Sequence, residues 1–341
     1  MPGSSRSAQG GSDVGNDLDL TGHDAAPEMC ADADSAARAP EPPKHPARRA
    51  LTQITRATYF KEAALKNLFL LCAFVAVAGV ALIFIFVGIK GWPIFGKVGL
   101  FEFLGGATWL PTKGHFGILP LIVNSLLAMT GALALGGPLA VGTAIFLSEV
   151  ASPRARSIVR PAVELLAGIP SVVYGFFGLV LLRPIIAGLF GGLGFGLLTV
   201  WLILAVMIVP TIATLTEDAL RSVPEGIREA SYSMGATKWQ TIWRVLLPAA
   251  KIGVIDAIIL GMGRAIGETM AVVMVAGNAG VIPADILKPF LTLTTVIVMD
   301  MPYAQGDHQT ALFGVAIVLF VISMIFVAAI RVISRFGKEV G

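Results

Sequence analysis

Residues 217–251 read EDALRSVPEGIREASYSMGATKWQTIWRVLLPAAK and lie between two long apolar runs. A mere link between two helices takes about 2–8 residues. This stretch is long enough to hold structure of its own. Ser222-Val-Pro-Glu225 has the pattern of a helix capping box with proline in the first turn, and Thr237-Lys-Trp-Gln240 repeats the box. Gly235, between them, suits a left-handed helix stop, and Pro248 ends the second helix near the next apolar run. The spacing predicts two short helices with a sharp bend. On the first, Ile227, Ala230, Ser231 and Met234 fall on one face, while Glu225, Arg228 and Glu229 take the other. Such an amphipathic hairpin either lies on a membrane or docks into a soluble partner, and the pattern alone favours neither.

The surroundings decide the environment. The chain has 341 residues, 55% of them hydrophobic and only 14% charged, where soluble domains carry roughly a quarter charged residues. Six apolar segments emerge, at about Asn67–Ile89, Ile118–Phe146, Ile158–Ile186, Leu197–Leu215, Ile252–Ala276 and Thr310–Ile333. Each is able to cross ~30 Å of hydrocarbon as a helix. Lipid leaves no alternative, because an unpaired backbone there is too costly and such runs are too long for barrel strands. The expected fold is therefore all-α and integral to the membrane, with six transmembrane helices over residues 59–341.

Placing the N-terminus inside gives the inner side 17 Lys and Arg, counted from Lys44 onward, against 5 outside. This predicts both termini in the cytoplasm of a multi-pass cell-membrane protein. It also puts the 217–251 hairpin in the cytoplasm. Trp92 and Trp109 then fall in the first outer loop and suit the membrane interface. Residues 1–58 contain no apolar run and are rich in Gly, Ser, Ala, Asp and Pro, the composition of a disordered tail. Cys30 and Cys72 have no disulfide or metal spacing. The net charge of +3 and the lack of a dense basic patch exclude a nucleic-acid binder.

Two of the apolar segments carry charge pairs. GRAIGETMAV (263–272) places Arg264 and Glu268 four residues apart, on nearly one helical face and near mid-membrane if the helix runs straight. A structural ion pair is one reading. Against it, neutral residues are cheaper in a buried place, and Glu before Arg is the better helical order. Intramembrane ionisable groups also mark pathways. Arg264 offers a planar fork of donors for an oxyanion. Thr269 either bonds back to its own helix or lines the path. Gly261, Gly263 and Gly267 beside the pair leave room for a substrate or a neighbouring backbone. Arg160 and Glu164 repeat the spacing at the inner end of the third segment, where arginine reaches water and a structural pair suffices. Asp256 reads as an interfacial group. Gly91-Trp-Pro-Ile-Phe-Gly96-Lys97 imitates a phosphate-binding loop but is followed by Val98, so the hydroxyl that holds Mg²⁺ is missing.

Glu229-Ala230-Ser231, Gly235, Val245 and Leu247-Pro248 resemble the EAA motif of ABC importer permeases in every spacing, with Ser for the third Ala and Val for Ile. LGMGRAIGETMAVVMVAGN (260–278), VELLAGIPSVVYGFFGLV (163–180) and FLGGATWLPTKGHFGILPLIVNSLL (103–127) are similar to the phosphate-specific members, and to their C-type subunit in particular. The resemblance runs from about Leu68 to Gly341. It implies a type I importer permease fold. It further implies that Glu229, Ala230, Ser231, Gly235, Ala236, Leu247 and Pro248 couple to an ATPase, and that Arg264, Glu268 and Thr269 lie on the substrate pathway. The implied partners are a second, homologous permease, two ATPase subunits that bind the ATP and Mg, and an extracytoplasmic phosphate-binding protein. This chain itself is expected to be no enzyme and to hold no cofactor. Competing readings are a permease for another oxyanion or small solute, and a membrane scaffold that signals phosphate status.

Overall fold

A computed structural model describes residues 56–339. The expected tail lies outside the described residues except at 56–58, which are already helical. The chain divides into two compact units, Met1–Cys72 and Ala73–Gly341. Of the first, only the helical stretch from Arg56 is described; the site belongs to the second.

The elements follow one another simply. Helix α1 spans Arg56–Val98 and α2 Leu100–Gly105. A small antiparallel pair, β1 (Trp109–Leu110) and β2 (His115–Phe116), precedes α3 (Leu119–Ile145). Then come α4 (Pro153–Gly168), α5 (Ser171–Phe177), α6 (Arg183–Phe190) and α7 (Leu197–Arg221). The hairpin holds α8 (Glu225–Ser233), α9 (Lys238–Thr241) and α10 (Leu247–Ala249). Helices α11 (Lys251–Gly267), α12 (Met270–Val275), α13 (Leu293–Asp300) and α14 (Asp307–Glu339) complete the chain. Among the described residues five spans are long and apolar enough to cross a membrane. A sixth is counted if Lys238–Ala249 and Lys251–Gly267, bent by 73°, make one span.

Helices α3 and α7 form the centre, and α11 packs on both. Their shared core holds Met129, Ala140, Ile208, Ile212, Ala257 and Ala265. Small residues at these contacts let the backbones approach closely, the usual basis of helix association in lipid. Gly91 has the same use on α1: a Cβ there would sit 2.7 Å from the Phe313 carbonyl carbon of α14. The stretch that imitates a phosphate loop is thus helix interior.

Several expectations are corrected. The third apolar segment is not one helix. Pro170 donates no N–H and pushes Ile169 out of the helical region, so the chain is extended there (φ −70°, ψ 128°). The membrane-length span is Ser171–Phe190, and α4 stands apart as an amphipathic helix. Trp92 lies inside α1 rather than in a loop. Trp109 is only 7% exposed, because the β1–β2 pairing folds it against Phe116, where its Nε1 donates to Asp300 Oδ2 at 3.2 Å.

At the end opposite the hairpin, the long connection after α12 is pinned to α3. Asn124, fully buried, donates through Nδ2 to the carbonyls of Val281 and Leu291, both at 3.0 Å. Ser125 Oγ accepts from Leu293 N at 3.0 Å. These bonds hold α13 beside the break in the fifth apolar segment.

Candidate functional site

The fifth segment is broken in the middle of GRAIGETMAV. Helix α11 ends at Gly267; Glu268 is extended (φ −69°, ψ 130°) and Thr269 starts α12 at φ −122°, ψ −58°. The expectation that Arg264 and Glu268 share one helical face is therefore overturned, since the helix stops at Gly267, just short of Glu268. Glu268 Oε1 instead accepts from the backbone N–H groups of Thr269 (3.2 Å) and Ala271 (3.3 Å). A carboxylate suits the freed donors of a helix start. Thr294 Oγ1, carried by α13, donates to the Glu268 carbonyl at 3.1 Å and steadies the turn. Thr269 Oγ1 donates to the Gly267 carbonyl at 3.2 Å, the local bond that was one of its two readings.

Arg264, half-buried, turns toward α7 and donates through Nη1 to Thr211 Oγ1 at 3.4 Å. It is also within electrostatic reach of Tyr174 on α5, whose hydroxyl donates to the Leu166 carbonyl across the other broken helix. Arginine, the two helix breaks and the start of α12 are thus gathered at one level. The glycines divide in use. Gly261 makes room for Ile212, while Gly263 and Gly267 border an apolar cleft of ≈ 120 Å³ lined also by Met129, Met262 and Phe326. Asp256 is exposed on α11.

Arg160 and Glu164 share the spacing of the broken pair, yet their ion pair forms at 3.0 Å because α4 continues through both. Arg160 reaches further, to Glu217 (3.6 Å) and Asp218 (3.7 Å) on α7, and Arg221 meets Glu217 at 2.8 Å. The Glu164 hydrogen bond, then the field of Glu217, holds the Arg160 guanidinium above its ordinary pKa. Glu217 is fully buried and was not singled out by sequence reasoning. Its signal was a Glu-then-Arg pair four apart ending an apolar helix.

The hairpin forms as its turn signals dictate, with one exception. Thr237 and Gln240 make the reciprocal capping box. Gly235 is left-handed (φ +79°); its N–H bonds the Tyr232 carbonyl and that of Ala236 bonds Ser231, which together make a Schellman stop. The Ser222 box does not form. Ser222 Oγ is engaged with the Ala219 carbonyl at the end of α7, and Pro224 precedes α8 without a side-chain cap. Ile227, Ala230, Ser231, Met234, Gly235 and Ala236 line an open groove of ≈ 680 Å³, so the predicted face is presented outward. Ser231, the departure from the all-alanine motif, bonds Thr241 across the bend, Oγ to Oγ1, at 2.9 Å. Glu229 and Pro248 are exposed, and Leu247 packs partly into the base of the hairpin. Arg228 faces inward: it pairs with Glu149, in the helical turn Phe146–Val150 that follows α3 (3.0 Å), and donates to the Leu220 carbonyl (2.9 Å). Glu149 also escaped sequence reasoning, since nothing in one dimension places it beneath α8.

Residues 136–336 match the model of the family described as the binding-protein-dependent transport system inner membrane component. The chain belongs to that family. Among relatives of this membrane component is a probable ABC transporter permease of Bacillus subtilis, YqgH, 41% identical over 78% of this chain and 89% of its own. The phosphate transport system permease protein PstC of Mesorhizobium japonicum is 37% identical over 75% and 84%. Its namesake in Pasteurella multocida is 36% identical over 73% and 84%. The fold is that of solved importers. An inward-facing MetNI methionine ABC transporter chain aligns with TM-score 0.51 at 23% identity, over 67% of this chain and 97% of that one. A chain of a bacterial alginate ABC transporter aligns with TM-score 0.58 at 17% identity, over 81% and 98%.

Proposed function

We propose that this chain is the C-type permease subunit of an ATP-driven importer that carries inorganic phosphate into the cell. The observation that carries the reading is the break at Gly267. It leaves Arg264 half-exposed at mid-segment with no carboxylate partner among the described ion pairs, a charge lipid does not tolerate without a function. The phosphate-transport relatives supply the cargo class. Arg264 takes the anion in transit through its guanidinium fork. Glu268, whose Oε1 is held by two backbone N–H groups, presents its other oxygen to the proton that phosphate retains near neutral pH. Sulfate has no such proton and is repelled. Binding stays weak enough for release.

In the same reading both termini and the hairpin are cytoplasmic, and the groove between α8 and α9 receives an ATPase subunit that binds ATP and Mg. A homologous permease, a second ATPase and an extracytoplasmic phosphate-binding protein complete the assembly.

The test is phosphate uptake in cells whose own system is replaced by this one. Arg264→Gln is expected to lower uptake by at least about tenfold, the scale of one lost hydrogen bond to a charged group. Glu268→Gln keeps the acceptor for the two amides, so the complex assembles while discrimination against sulfate falls. Normal uptake in both variants refutes the pathway role. Competition by sulfate, molybdate and arsenate decides between phosphate and another oxyanion.

A further inference from the structure

Most hydroxyls on the long helices follow one rule, from which three threonines of α7 depart: Thr199 bonds the Gly194 carbonyl, the fully buried Thr216 has no partner among the described residues, and Thr211 meets a charge. Thr130 and Thr143 on α3, Thr214 on α7 and Ser323 on α14 each donate to the carbonyl four residues back, at 2.8 to 2.9 Å. That is the ordinary way for a helix in lipid to satisfy a hydroxyl. Thr211, three residues before Thr214 on the same helix, makes no such bond among the described residues. Its Oγ1 is instead an acceptor for Arg264 Nη1. A hydroxyl has one hydrogen to give and two lone pairs to receive. Arginine occupies a lone pair, and among the described residues no acceptor takes the hydrogen of Thr211. Arg264 offers only donors, so nothing on that side takes it either. Thr211 is half-buried rather than sealed in the core, as is Arg264. A hydroxyl with its hydrogen free among the described residues, next to a guanidinium without a carboxylate among the described ion pairs, suits an oxyanion.

We infer that Thr211 is a substrate-contacting residue of the permeation path, with its hydroxyl donating to an oxygen of the phosphate that Arg264 holds. The inference rests on the proposed phosphate pathway and adds to it a residue from a different helix. Arg264 then binds one face of the anion, and α7 supplies a neutral donor that adds grip without adding charge. The hydroxyl also orients the guanidinium while the path is empty.

The experiment uses the whole importer in proteoliposomes, with its phosphate-binding protein and ATP, and measures radiolabelled phosphate uptake alongside ATP hydrolysis. Thr211→Val keeps the shape and removes the donor; Thr211→Ser keeps the donor. The expected result for Thr211→Val is uptake about tenfold lower, one hydrogen bond to a charged ligand, with binding-protein-stimulated hydrolysis unchanged. Thr211→Ser should restore most of the uptake. Uptake by Thr211→Val at the parent rate overturns the inference. Parallel loss of uptake and hydrolysis also overturns it, because that marks a packing or assembly role. If the parent importer itself carries no phosphate, the functional reading fails, and this is a separate outcome.

Discussion

At the scale of the residue, spacing in the sequence is a poor guide to partnership when the backbone between two charges is interrupted. Arg160–Glu164 and Arg264–Glu268 have the same order and separation, yet only the first is an ion pair. In the second, the backbone takes the carboxylate and a threonine on another helix takes the arginine. The buried pair Arg228–Glu149 supplies a test at this scale. Glu149 has only 8% of its side chain exposed, and Arg228 has 20%. Arg228→Ala leaves the carboxylate buried and unpaired, which should cost about 3–5 kcal/mol. Arg228→Ala combined with Glu149→Leu should recover most of that loss. Thermal unfolding of the assembled importer would measure both, and equal destabilisation by the single and double variants would contradict the pairing.

At the scale of the element, the hairpin and the two broken spans behave differently. Turn chemistry was readable for the hairpin: Gly235 and the Thr237–Gln240 box did what their types require. Gly235→Ala should cost about 1–2 kcal/mol, the penalty of a left-handed backbone with a Cβ. Because the groove is lined by residues from both sides of that bend, ATPase retention should fall with it. Pull-down of the ATPase with Gly235→Ala, compared with Gly235→Asn, which accepts this backbone more readily, measures the effect. Equal loss in both variants would mean that the bend geometry is not what the partner reads. The breaks were harder to see. Pro170 signals one of them, yet a membrane helix can tolerate proline, so hydropathy alone joined α4 to α5. The break at Glu268 has no proline at all. It rests on Glu268 satisfying the start of α12 and on the Thr294 bond from α13, which are contacts of the folded chain.

At the scale of the whole molecule, much of the apolar surface has no cover within this chain. Phe176, Phe177, Leu189 and Phe190 on the third span are more than half exposed, as are Trp239 and Trp243 on the hairpin. Lipid accounts for the first group, but tryptophans beside an open groove fit a protein partner. Affinity purification of the tagged chain in mild detergent should therefore recover a second six-helix permease and an ATPase. A stable, lone chain would contradict the proposed assembly.

Sequence alone determined the class of this protein: apolar runs of membrane length, and a hairpin whose glycine and Thr237–Gln240 box specify a sharp bend. These properties are local, because the cost of bare backbone in lipid and of a Cβ at positive φ does not depend on distant residues. Tertiary structure alone decided how the charges are used. Whether Arg264 meets Glu268 or Thr211, and whether Glu149 and Glu217 are buried under arginines, depends on which helices are brought side by side. A long side chain in a low-dielectric interior takes the polar group nearest in space, not the one nearest in sequence.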